Sequence, residues 1–280
     1  MTPRSKMNRR NGAPLLTMAI VLLIAGTTAI FAPVLIVDME LCQDAEEYEQ
    51  LGEQARNTAT ALDPATMHGR AFTTPSPARA GKTGVDLAAC KAENDDFIAW
   101  IQIPGTTVDY PVVLSNKTKY YLEHTFSGKK SYLGTLFSLE KTDYRTPGYN
   151  IAIYGHHIRS NKQIMFSPLL SYKEQSFYAG HETIYLDSLY HSDTYIVFAV
   201  INMRNGDWDP SATSFASDDD FLNFINRARS QSLYVTGVEV TAKDQILTLI
   251  TCDRSFVPTY GRLVVMAVRQ EPNDPQLSNQ

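Results

Sequence analysis

The chain has few cysteines and no pattern among them. Cys42, Cys90 and Cys252 are three in 280 residues, odd in number and widely separated. A disulfide framework is therefore not what holds this fold together. There is no C-x-x-C pair and no histidine-rich tract, so no zinc-type ligand set is present and no metal or cofactor is expected. Lysine and arginine form no stripe beyond the N-terminus, and the net charge is −5, which argues against nucleic acid as a partner. No internal repeat of fixed period is visible. Long apolar runs are scarce too, with one exception near the start.

That exception is Leu15 to Val37, an uncharged stretch. A membrane-crossing helix needs roughly 20 such residues. Arg4, Lys6, Arg9 and Arg10 precede it, and Asp38, Glu40, Asp44, Glu46 and Glu47 follow it. The positive-inside bias places residues 1–14 in the cytoplasm, 15–37 as a single transmembrane helix, and everything after residue 38 outside the cell. A cleaved signal peptide fits less well. The apolar run is long for one, and cleavage after Ala32 would leave Ile30 where a small residue is needed. Cys42 lacks the context for lipid attachment.

What remains is ordinary in composition, with 44% hydrophobic and 20% charged residues, enough for a real core. Residues 38–84 read as an extracellular stem and linker. Asp38 to Leu62 has helical character, and Asp63 to Gly84 is a tether rich in Pro, Gly, Ser and Thr. Residues 85–270 form the globular domain, and 271–280 a frayed tail. Within the domain, β-branched and aromatic runs predict strands at Ala99 to Ile103, Tyr110 to Val113, Gly134 to Leu139, Asn150 to Tyr154 and Thr183 to Asp187. Further strands are predicted at Asp193 to Asn202, Val235 to Thr241, Gln245 to Thr251 and Leu263 to Arg269. Helices are predicted at Phe166 to Lys173 and, with Ser217 as N-cap and three acids in its first turn, at Asp218 to Gln231. Many short strands and few helices imply a mostly β, closed or nearly closed barrel.

Three strand ends carry the chemistry. Thr248-Leu249-Ile250-Thr251-Cys252 ends an apolar run in a thiol, and Gly261-Arg262-Leu263-Val264-Val265 opens the next with a guanidinium. Two adjacent strands joined by a short loop bring that cation to the thiol, where positive charge favours the nucleophilic thiolate. Ile151-Ala152-Ile153-Tyr154-Gly155-His156-His157 ends a third strand in imidazole. His156 is the favoured acid/base, with His157 orienting the loop or lining a groove. Arg254 is a competing cation. Asp253 is open between orienting His156, orienting Arg262 and facing water. Cys90 suits a buried apolar role. His68, His124, His181 and His191 are read as solvated or structural rings.

These segments together resemble the sortases, the cysteine transpeptidases of Gram-positive cell surfaces, over roughly Asn94 to Val268. Gly155-His156-His157 followed by Met165-Phe166, Leu169, Tyr172, Phe177 and His181, and the long insertion Arg204 to Val235, resemble class B sortases in particular. The resemblance implies an eight-stranded sortase β-barrel. It implies Cys252 as nucleophile, His156 as general acid/base and Arg262 as stabiliser of the substrate oxyanion, with Thr251 and His157 at the substrate groove. The implied reaction is cleavage of a C-terminal sorting signal after Thr, through a Cys252 thioester, with transfer to a peptidoglycan precursor or cross-bridge amine. Partners would then be surface proteins bearing that signal, the peptidoglycan amine and the cytoplasmic membrane. A pilin-polymerising enzyme using a lysine amine, a non-catalytic peptide-binding domain and a plain cysteine hydrolase are the alternatives. The insertion near Asn205 to Ser232 is expected to wall the peptide groove.

Overall fold

The strands that carry the thiol and the guanidinium are built almost wholly of apolar residues, and both are buried on both faces over most of their length. The computed structural model describes residues 40–59, 81–116, 118–146, 148–255 and 261–270. Eight strands close into a barrel: β1 Phe97–Gln102, β2 Asp109–Ser115, β3 Leu136–Leu139, β4 Asn150–Tyr154, β5 Thr183–Ser188, β6 Ser192–Arg204, β7 Ile246–Asp253 and β8 Gly261–Arg269. Around the barrel the order is β1-β2-β3-β4-β7-β8-β6-β5. The β2–β3 and β4–β7 pairs are parallel and the rest antiparallel. Closure removes the exposed sheet edges that an open sheet would present.

Residues 40–59 are helical (α1). The other α-helices among the described residues are α2 Leu87–Glu93, α3 Thr118–Tyr121, α4 Gln175–Tyr178 and α5 Asp218–Ser230, and Ser167–Lys173 forms a 3-10 helix. The chain divides into two compact units, Met1–Gln43 and Asp44–Gln280, and the barrel belongs to the second. The apolar run Leu15 to Val37 lies outside the described residues. Among those residues no helix is long and apolar enough to cross a membrane.

Most of the predicted strands fall on observed ones. Val235 to Thr241 is the exception and forms no ladder. It is tethered instead by single bonds to β6 and to α5. Thr236 Oγ1 donates to the Phe198 carbonyl, and an Arg229 guanidinium N–H donates to that of Val238. β-Branched residues favour a strand only where a ladder forms, and beyond Ile196, where the pairing with β5 ends, β6 meets the chain just before this segment through one isolated bridge, Ile201 to Ser232. Helix α5 begins as expected, with the Ser217 hydroxyl accepting from the Asp220 N–H.

The long insertion between β6 and β7 packs on one face of the sheet. Phe221, Ile225 and Ala228 of α5 bury against Ile201, Met203, Ile250, Val264 and Met266. Because side chains alternate along a strand, Ile250 and Cys252 share this face of β7, and Val264 and Arg262 share it on β8. The insertion thus covers the face on which the thiol and guanidinium stand. Asn150 anchors it: its amide nitrogen donates to the Pro210 and Ala212 carbonyls, and its side-chain oxygen accepts from Thr248.

Candidate active site

Cys252 and Arg262 are directly opposed across the β7–β8 ladder. That register brings the Arg262 Nη1–H within 3.3 Å of the Cys252 sulfur, to which it donates. The thiol is half-buried, whereas Cys90 is sealed in the core and Cys42 lies exposed on α1. Burial pushes the Cys90 thiol up to about 12, which keeps it protonated and inert. Among the described residues, Cys252 combines access with a neighbouring cation.

The histidine segment is delivered by the other neighbour of β7. β4 runs parallel to it, with Tyr154 opposite Ile250. Beyond the ladder, the Gly155 N–H donates to the Ile250 carbonyl at 3.1 Å, and the Thr251 hydroxyl donates to the Gly155 carbonyl at 2.9 Å. The chain therefore stays in step with β7 through Gly155, and His156 and His157 follow at the strand end. Gly155 is required there by space. A Cβ at this position would fall 2.4 Å from Leu136 Cδ2 and 2.6 Å from the Phe166 ring. Thr251 is buried, and its hydroxyl is engaged with the histidine segment rather than presented to a groove.

The His156 Nε2 lies 2.8 Å from the Leu122 carbonyl. A carbonyl only accepts, so Nε2 carries the proton and Nδ1 holds the lone pair of the neutral ring. Tyr132 stacks over the same ring at 6.0 Å. Burial lowers the His156 pKa below the ordinary histidine value, the Leu122 carbonyl opposes this in part, and the Arg254 charge adds to the lowering. His157 donates from Nδ1 to the Cys252 carbonyl at 3.1 Å. Its pKa is also lowered, chiefly by burial. The two rings thus divide the work. His157 holds the Cys252 backbone, and His156 stands on the adjoining strand end.

Asp253 orients neither His156 nor Arg262, and it does not face water. It is buried, pairs with Lys173 at the end of the 3-10 helix, and accepts from the Ser255 N–H. Burial by itself would raise this carboxyl. Lys173 and Ser255 more than offset that and hold it below the ordinary carboxylate range. Lys173 carried no signal in the sequence, because a lone lysine at a helix end has many partners open to it. Leu122 and Tyr132 were equally silent, since a backbone carbonyl and a loop tyrosine gain meaning only from the fold. His124, His181 and His191 bond to carbonyls elsewhere, as structural rings do. No cluster of metal-ligating side chains occurs among the described residues.

A half-buried thiol under a guanidinium, with imidazole on the adjoining strand, is the equipment of a cysteine nucleophile enzyme. The Sortase domain family model matches residues 101–270. Sortase B of Staphylococcus aureus (strain NCTC 8325 / PS 47) is 32% identical over 174 residues, which is 62% of this chain and 70% of that protein. The solved Staphylococcus aureus sortase B–substrate complex is 26% identical with a TM-score of 0.69, covering 84% of this chain and 99% of that one. A sortase B complexed with triglycine gives the same TM-score at 26% identity, covering 83% and 100%. The chain belongs to the sortase family of cysteine transpeptidases and is most like its class B members.

Proposed function

We propose that this chain is a membrane-anchored sortase that cleaves a C-terminal sorting signal after Thr and transfers the protein, through its new threonine carbonyl, to a peptidoglycan amine. The observation that carries this reading is the 3.3 Å contact between Arg262 and the Cys252 sulfur at the rim of the barrel. In this scheme the Cys252 thiol passes its proton to the free Nδ1 of His156, and the resulting thiolate attacks the threonine carbonyl carbon. The negative charge that gathers on the carbonyl oxygen is met by Arg262, which is always protonated and so acts electrostatically, never as a base. The amide C–N bond breaks, and His156 gives its proton to the departing nitrogen. A thioester remains on Cys252. His156, now neutral, takes a proton from the incoming amine, the amine attacks the thioester, and the thiolate leaves.

The acceptor is read as a peptidoglycan amine by analogy with the relative complexed with triglycine. The anchor rests on the Leu15 to Val37 run and the basic residues before it. Tethering would hold the enzyme at the outer membrane surface, raising its effective concentration toward substrates anchored there.

The test incubates the full chain with a library of sorting-type peptides and follows Cys252 by intact mass. A thioester adduct that forms in the wild type and is absent in Cys252→Ala is the expected result. Resolution of the adduct by oligoglycine or stem-peptide amines, rather than by a protein lysine, supports the acceptor. His156→Ala is expected to abolish turnover. Full activity in His156→Ala with loss in His157→Ala would transfer the acid/base role to His157.

A further inference from the structure

The His156 ring is held from outside the barrel by a single loop, residues 122–135, between α3 and β3. One limb of that loop supplies the Leu122 carbonyl in the plane of the ring, and the other supplies Tyr132 over its face. The loop is braced internally. The Ser131 N–H donates to the Glu123 carbonyl, the Thr135 hydroxyl donates to that of His124, and Gly134 takes a left-handed conformation pressed against Tyr121.

Its outer side is gripped by α1. Tyr48, buried in that helix, donates its hydroxyl to the Gly134 carbonyl at 2.6 Å and accepts from the Phe126 N–H at 3.1 Å; Thr135 Oγ1 lies 3.0 Å away. Glu47 accepts from the hydroxyls of Thr125 and Ser127, and Asp44 holds both Ser131 and Lys129. Every one of these contacts falls on the loop that carries Leu122 and Tyr132. None touches Cys252 or Arg262.

We infer that the stem helix is a positioning element for the catalytic imidazole: Asp44, Glu47 and Tyr48 fix loop 122–135, and the loop fixes His156. The stem is then more than a spacer, because releasing it would loosen one member of the site and leave the others in place. Buried polar contacts suit such a role. Removing the Tyr48 hydroxyl leaves the Gly134 carbonyl and Phe126 N–H without their partner, so the loop cannot settle in the same place.

The inference rests on the reading of His156 as the acid/base, and the experiment separates the two. The full chain in mild detergent is compared with Tyr48→Phe and with Tyr144→Phe. The latter deletes another buried hydroxyl, bonded to Ser138 on β3 and away from the loop. Transfer kinetics, the alkylation rate of Cys252 and the titration of the His156 ring by NMR are measured. Tyr48→Phe is expected to lower kcat roughly 10-fold with little change in KM, as misplaced catalytic groups do. It should also raise the His156 midpoint toward the ordinary value of about 6.5 as water reaches the ring. Cys252 alkylation stays unchanged, and Tyr144→Phe leaves all three readouts alone. An unmoved His156 midpoint in Tyr48→Phe, or an equal change in Tyr144→Phe, overturns the inference. If Tyr48→Phe does not fold, the double variant Asp44→Asn, Glu47→Gln is read against the same two outcomes. If His156→Ala retains full turnover, the acid/base reading fails, while the NMR midpoint still reports on the stem's grip.

Discussion

The two halves of the site are secured in different ways. Cys252 and Arg262 are partners in one antiparallel ladder, and their meeting follows from backbone register alone. His156 leaves the barrel just beyond its ladder, and its ring is placed by Leu122, Tyr132 and the close packing around Gly155. A register is hard to disturb with one substitution, because a slip turns every side chain of the strand over. A ring placed by packing is exposed to any change in the residues that surround it. The thiol–guanidinium pair should therefore fail only when one of its own members is changed, and the imidazole should fail through its neighbours.

The largest effect expected is at Arg262. Arg262→Ala should lower kcat/KM by about 100- to 1000-fold, the scale seen when one donor to a developing oxyanion is removed. Stability to urea should hardly change, since β8 keeps its backbone bonds. Arg262→Lys restores the charge without the forked donor geometry and should recover only part of the loss. Full recovery with lysine would show that charge alone matters there, and would remove the reason for a ladder this tight.

Gly155→Ala attacks the other half through its neighbours. The new methyl would meet Leu136 and the rigid Phe166 ring at under 3 Å. Phe166 is fully buried and its N–H donates to the His156 carbonyl, so the ring cannot yield without moving the histidine. A cost of about 1–3 kcal/mol in unfolding free energy is expected from such overpacking. Transfer should fall as well, while Cys252 keeps its alkylation rate. Parallel loss of thiol reactivity would show that the halves are not independent.

This contrast also explains what the sequence made legible. The strand ends of β4, β7 and β8 could be read because apolar runs ending in Cys, His and Arg are local patterns, and pairing brings such ends together. The barrel was legible for the same reason. The strand expected at Val235 to Thr241 is not formed: its residues are strand-like, and only the fold reveals that the chain leaves β6 after the single Ile201–Ser232 bridge. The buried hydroxyl of Thr251, the Leu122 carbonyl and Lys173 had no signature at all. Each does its work through a partner far away in the chain, and residue type does not encode that distance.

Lys173 sharpens the comparison from the thiol's side, with a smaller effect. It is the ion-pair partner of buried Asp253, the residue after Cys252. Lys173→Met should cost about 1–2 kcal/mol, less than for a fully buried pair because the lysine is 28% exposed. The sign with pH follows from the direction of the shift. The folded carboxyl of Asp253 sits below its ordinary value, so its contribution is complete above an unfolded pKa of about 3.9 and is lost as pH falls through the lower folded value. The difference in stability between wild type and Lys173→Met should therefore be greatest near neutral pH and shrink below pH of about 4. Urea unfolding from pH 7 down to 3 measures it. A gap that stays constant across that range would mean that the lysine's stem supplies the stabilisation and the ion pair does not. Loss of Arg262–Cys252 reactivity in the same variant would show that the register depends on Asp253 as well as on the ladder.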